Sequence, residues 1–131
     1  MSEDRRRALG RRGEELAADY LQRRGYSVLD RNARTRYGEI DLVVHRRHAL
    51  VFVEVKTRRI GRSQSTPRDD QAPLTGIGTR QRARLRRLAA AWLADEQRSR
   101  PFAETVRFDA IGVVIDAGGR QRRIEHVESA W

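Results

Sequence analysis

The chain has no cysteine and only one lysine among its 131 residues. Without cysteine there can be no disulfide, no thiolate zinc site and no cysteine nucleophile, which fits a reducing compartment. No apolar run approaches the roughly 20 residues that a membrane-spanning helix requires. The N-terminal M-S-E-D-R-R-R-A-L-G has basic residues with no apolar segment behind them, so it does not read as a signal peptide. The expected location is the cytoplasm, with no membrane partner. Also missing are a glycine-rich phosphate loop, an H-E-x-x-H pair, a serine-triad signature and internal repeats.

What is abundant is arginine. Basic residues number 28 against 18 acidic, for a net charge of +10, the balance of a protein that binds polyanions. Ribosomal and nucleoid proteins share it, so charge supports nucleic-acid contact and says nothing of catalysis. Lys56 is the lone lysine against 27 arginines. Arginine and lysine differ in hydration and shape, so a site that needs a compact ammonium would account for the exception. The length suits one domain, 1–131, with one core.

The most informative stretch is Tyr37 to Arg58, Y-G-E-I-D-L-V-V-H-R-R-H-A-L-V-F-V-E-V-K-T-R. Ile40, Leu42 and Val44, then Val51, Val53 and Val55, alternate with period two around a polar tip, which predicts an antiparallel hairpin. A turn centred on Arg47 and His48 would place Leu42 opposite Val53, Asp41 opposite Glu54, and Glu39 opposite Lys56. Facing carboxylates repel and invite a cation, and Mg²⁺ is often held by one or two carboxylates with waters and substrate phosphate. Lys56 projects from the same face as Glu54. An ordinary solvated face of ion-paired Glu39, Asp41, Glu54 and Lys56 is the competing reading.

Around the hairpin, Gly10 to Arg24 reads as a helix with Leu9, Gly13, Leu16, Ala17, Tyr20 and Leu21 on one stripe and Gly25 as its stop. Glu14 lies at the edge of that stripe and can face the sheet, while Glu15 points to solvent. Tyr26 to Asp30 predicts a short strand. Arg31, Arg34 and Arg36 follow it as a basic approach that could bind phosphate. Residues 59–78 read as a long loop. Thr79 to Gln97 predicts a second helix with Leu85, Leu88, Ala89, Trp92 and Leu93 inward and a ridge of Arg80, Arg84 and Arg87 outward. Val106 to Ile115 reads as a buried central strand and Arg123 to Val127 as the last one. His126 reads as a satisfied packing residue rather than a ligand.

The strings G-R-R-G-E-E-L-A-A-D-Y-L-Q-R-R-G-Y, R-N-A-R-T-R-Y-G-E-I-D-L-V, V-F-V-E-V-K-T-R and R-F-D-A-I-G-V with I-E-H-V resemble the YraN family of small bacterial proteins. That family falls among the restriction-endonuclease-like PD-(D/E)XK nucleases, and the match covers nearly the whole chain. Gln81 departs from it, standing where the family usually has a lysine. The resemblance implies an α/β fold with a central mixed β-sheet flanked by helices. It implies Asp41 and Glu54 as metal ligands, joined by the Val55 carbonyl, and Lys56 as the catalytic lysine. Glu14 matches the helix glutamate of archaeal Holliday-junction resolvases.

The implied function is an Mg²⁺-dependent (or Mn²⁺-dependent) endonuclease acting on nucleic acid, DNA first and branched DNA among its forms. Arg34, Arg36, Arg58, Arg80, Arg84 and Arg87 would grip the backbone, and a homodimer is a candidate assembly. Two other readings stay open: a non-catalytic basic nucleic-acid-binding protein on the same fold, and an adaptor whose surface binds protein.

Overall fold

The computed structural model describes residues 2–61 and 78–130. In chain order these form α1 (Glu3–Arg23), β1 (Ser27–Thr35), β2 (Gly38–Arg46), β3 (Ala49–Arg59), α2 (Thr79–Ala94), β4 (Thr105–Ile115) and β5 (Gln121–Val127). The strands make one sheet in sequence order, antiparallel except for the parallel pair β3–β4. A parallel pair needs a crossover connection, and α2 lies within it. The result is the mixed α/β architecture expected from the sequence, consistent with a restriction-endonuclease-like fold.

The sheet divides the expected single core into two layers. On one face Ala17, Ala18 and Leu21 of α1 pack on Leu42, Val44, Val51 and Val53. On the other, Leu85, Leu88, Ala89 and Trp92 of α2 pack on Val43, Leu50 and Phe52. Trp92 is core, as expected, and its indole N–H donates to Asp30 at 3.2 Å. Residues Ala110 to Ile115 of β4 are buried without a break, as a strand covered on both faces must be. Gly13 sets how close α1 comes, because a Cβ built there would lie 1.8 Å from the Thr57 hydroxyl oxygen on β3. Any side chain at this position would lift the helix.

Several boundaries differ from the sequence expectations, each for a local reason. Helix α1 begins at Glu3 rather than Gly10. The Ser2 hydroxyl accepts from the Arg5 N–H at 3.2 Å, and Glu3 and Asp4 occupy the first turn, where acids favour the helix dipole. Its opening turns are exposed, so they carry no apolar stripe. At the far end, the Gly25 N–H bonds to Gln22 and the Tyr26 N–H to Leu21, with Gly25 at φ 90°, a Schellman stop.

Strand β1 runs on to Thr35, so Arg31 and Arg34 lie on an edge strand rather than in a loop. Helix α2 ends at Ala94, before Gln97. Of the expected 59–78 loop, Arg59 belongs to β3 and buried Ile60 donates its N–H to Ile115 at 2.9 Å. Residues 62–77 lie outside the described residues.

Candidate active site

The hairpin turns at Arg47 and His48, both with positive φ (50° and 64°), as in the primed two-residue turns that match strand twist. The expected register holds from Arg46–Ala49 to Leu42–Val53. There the β2–β3 ladder stops. Asp41 and Glu54 do not pair as strand neighbours. Instead the Asp41 carboxylate takes the place of a ladder acceptor and receives the Val55 N–H at 2.8 Å.

The alternation also breaks at this point. Leu42 packs under α1 while Ile40 packs under α2, so the predicted single face for Ile40, Leu42 and Val44 is wrong at Ile40. Across from Asp41, Asn32 of β1 has φ 49°, and it is skipped in the ladder between Arg31–Leu42 and Ala33–Ile40. Asp41 therefore sits where the β2–β3 ladder ends and the β1–β2 ladder skips one pair before resuming at Ala33–Ile40.

Glu14 reaches this opening from α1, brought down by the close approach at Gly13, and its carboxyl hydrogen-bonds Asp41 and Asn32. The Asp41 carboxyl is pushed up to about 8 by burial first and the Glu54 charge second, against the lowering effect of the Val55 N–H. Burial also raises Glu14, with Glu39 and Glu54 adding to it. The raised Glu14 and Asp41 carboxyls resist being ionised together, a crowding of like charge that a cation would relieve.

A cleft of about 220 Å³ opens here, lined by Glu14, Glu15, Asn32 and Asp41, with Arg11 and Arg31 among its walls. Glu15, expected in solvent, is exposed at its rim and pairs with Arg12 at 3.5 Å. Glu54 and Lys56 are not part of this wall. They form their own ion pair, Lys56 Nζ to Glu54 Oε1, at 3.2 Å. The expected opposition of Glu39 and Lys56 does not occur. Once the strands part, Glu39 turns to Arg34 on β1 at 3.4 Å.

The carboxylates of Glu14, Asp41 and Glu54 offer a cation oxygen ligands, the kind that suit a hard ion such as Mg²⁺ or Mn²⁺. In an extended strand a residue's N–H and C=O leave on the same edge, so the Val55 carbonyl shares the edge whose N–H meets Asp41. Among the described residues no three His, Asp or Glu side chains form a ready-made metal cage. A site of two carboxylates and a backbone carbonyl would not form one, and the surplus negative charge fits a cation.

The six arginines expected to grip nucleic acid separate into two groups. Arg36 and Arg87 lie over the Tyr37 ring, at 5.1 and 5.9 Å from its centre. Arg84 lies against neighbouring Gly38, and Arg34 holds Glu39 next door. Among the described residues Arg58 donates to the Thr57 carbonyl, and Arg80 is exposed at the start of α2. Sequence reasoning passed over Tyr37, although an aromatic between Arg36 and Gly38 was a visible signal. It also passed over Arg11, and over Asn32, whose only signal is its tolerance of positive φ.

A family model described as uncharacterised protein family UPF0102 matches residues 13–113. A UPF0102 protein of Frankia casuarinae is 46% identical over 125 residues, covering 95% of this chain and 96% of its own. One of Rhodococcus opacus is 43% identical over 124 residues, with coverage of 95% and 96%. One of Pelotomaculum thermopropionicum is 42% identical over 128 residues, covering 98% of each chain. The chain therefore belongs to the uncharacterised family UPF0102, the YraN family that its acidic hairpin and E-V-K motif resemble.

Proposed function

We propose that this protein is a metal-dependent nuclease that hydrolyses phosphodiester bonds of nucleic acid. One observation carries the reading: Glu14, Asp41 and the ion pair Glu54–Lys56 come from three elements to the point where the β2–β3 ladder opens. A fold that needed only stability would not place three interacting carboxylates there with a single ammonium. Asp41, Glu54 and the Val55 carbonyl would hold Mg²⁺ or Mn²⁺. Such an ion supplies Lewis-acid stabilisation of phosphate charge and an acidified water. Lys56 orients the attacking water and the scissile phosphate with a compact, strongly hydrated charge. Glu14, beside Asp41 on the α1 side, would add a third carboxylate to the surroundings of the ion and keep Asp41 oriented. The arginines beside Tyr37 grip the phosphate backbone without reading sequence.

The test is incubation with branched, duplex and single-stranded DNA and RNA, with and without Mg²⁺ or Mn²⁺, beside Asp41→Asn. Metal-dependent cleavage that Asp41→Asn loses is the expected result. Failure of the parent to cut any of these substrates would sink the reading. Binding that falls steeply with salt but never leads to cleavage would favour a nucleic-acid-binding module on the same fold.

A further inference from the structure

Tyr37 stands out beside the site as a large aromatic residue that is 47% exposed, yet its backbone is held firmly. The Thr35 hydroxyl accepts the Tyr37 N–H at 3.1 Å and donates to the Gly38 carbonyl at 2.9 Å, closing the β1–β2 turn. Gly38, at φ 133°, has no Cβ, and the Arg84 guanidinium lies 3.1 Å from where one would be. Helix α2 can thus lean on the turn. The more exposed ring of Phe102 packs beside His48, at the opposite end of β2. Tyr37, in the turn before β2, lies four residues from Asp41, at most about 13 Å at the rise of a strand.

We propose that Tyr37, flanked by Arg36 and Arg87, is a stacking platform for an unpaired nucleobase. The substrate class is then nucleic acid with a single-stranded or splayed segment next to the scissile phosphate, not continuous duplex. The inference rests on the nuclease reading and narrows its substrate. Arginine contacts to phosphate serve duplex and single strand alike. A base inside a duplex already stacks on both faces, so an aromatic ring adds affinity only for a base that has left the stack.

Magnitudes favour the base over the arginines as the ring's partner. An exposed cation–π contact is worth about two- to fivefold in affinity, and stacking on an aromatic ring about five- to a hundredfold per base. A base can therefore displace a guanidinium from the ring, which then pairs with that nucleotide's phosphate.

The test titrates parent, Tyr37→Ala and Tyr37→Trp, without metal, into a single strand carrying 2-aminopurine and into a blunt duplex of the same length. Melting temperatures are recorded beside the titrations. Parent protein should quench the fluorescent base on binding. Tyr37→Ala should lose the quench and about five- to a hundredfold of its single-strand affinity, with duplex affinity within about twofold. Tyr37→Trp should restore both. A Tyr37→Ala protein that binds the single strand as tightly as the parent, or weakens equally on both substrates, overturns the proposal.

Cleavage assays separate this failure from that of the nuclease reading. A parent that quenches and binds but never cuts with metal refutes the nuclease and leaves the platform standing. A parent that cuts while Tyr37→Ala behaves identically refutes only the platform. A parent that binds neither substrate refutes both.

Discussion

Helix α1 covers two aspartates with opposite surroundings: Asp41 near its Glu14 end and Asp109 near its Tyr20 end, about 9 Å further along the helix axis. Asp109 is fully buried, and burial alone would raise its pKa. It is held below the usual carboxylate range instead, because donors outnumber the loss of water. The His126 Nε2 proton reaches it at 2.7 Å, Arg107 at 2.8 and 2.9 Å, and the Ser129 N–H at 3.1 Å. The other His126 nitrogen meets the Tyr20 hydroxyl at 3.2 Å, so this histidine is satisfied, as expected. Asp41 receives one backbone N–H and faces two carboxyl groups, and its pKa rises to about 8. Burial pushes both carboxyls up; at Asp109 the donors overcome it, whereas at Asp41 the like charge of Glu54 adds to it. Asp109 is a finished structural charge, whereas Asp41 still has room for a cation.

The largest expected effect would come from breaking the finished charge. Asp109→Asn takes from partly buried Arg107 its nearest counter-charge and leaves it Glu128 at 3.9 Å, a loss of about 3 kcal/mol, readable in urea unfolding. A variant as stable as the parent would erase the contrast. Next is the metal: millimolar Mg²⁺ or Mn²⁺ at pH 8 should raise the melting temperature by the equivalent of about 2.7 kcal/mol at a hundredfold excess over Kd. Asp41→Asn and Glu54→Gln should abolish the shift, and a folded Asp109→Asn should keep it. A melting temperature indifferent to metal would remove Asp41 from any cation site.

The two aspartates also bend the pH profile in opposite directions. Folded Asp41 holds its proton more tightly than the unfolded chain, whose value is near 3.9. Its destabilising effect is therefore absent below about pH 4, grows as pH rises, and is complete above about 8. Asp109 has a lowered value, so its contribution is present above the unfolded pKa and is lost as pH falls through the folded one. In chelator, Asp41→Asn should stabilise the protein at pH 8 by on the order of 1–2 kcal/mol and do nothing at pH 4. An equal gain at both ends would show that proton release is not the cause.

The smallest effect on stability is expected for Lys56→Arg, within about 0.5 kcal/mol for a partly exposed pair. Cleavage should slow at least about tenfold, since a misplacement of about 1 Å can cost a hundredfold. Single-turnover rates beside melting curves decide it, and an arginine variant as fast as the parent removes Lys56 from the chemistry.

Period-two alternation was enough to place the hairpin and its register from Leu42–Val53 to the turn, because strand faces are set by neighbours along the chain. Helical spacing likewise turned Glu14 inward, and composition singled out Lys56. Those inferences needed only local geometry. The opening at Asp41 was out of reach, because it depends on Asn32 of β1, Val55 of β3 and the Gly13–Thr57 approach of α1 acting together. The Asp109 cluster was hidden for the same reason: Tyr20 and Tyr26, Arg107 and Asp109, and His126 come from three separate stretches of the chain, and closure of the sheet against α1 brings them together. A periodic pattern records which side of an element faces inward. It carries no information about which distant donors or carboxylates wait there, and those decide whether a buried aspartate keeps its charge or its proton.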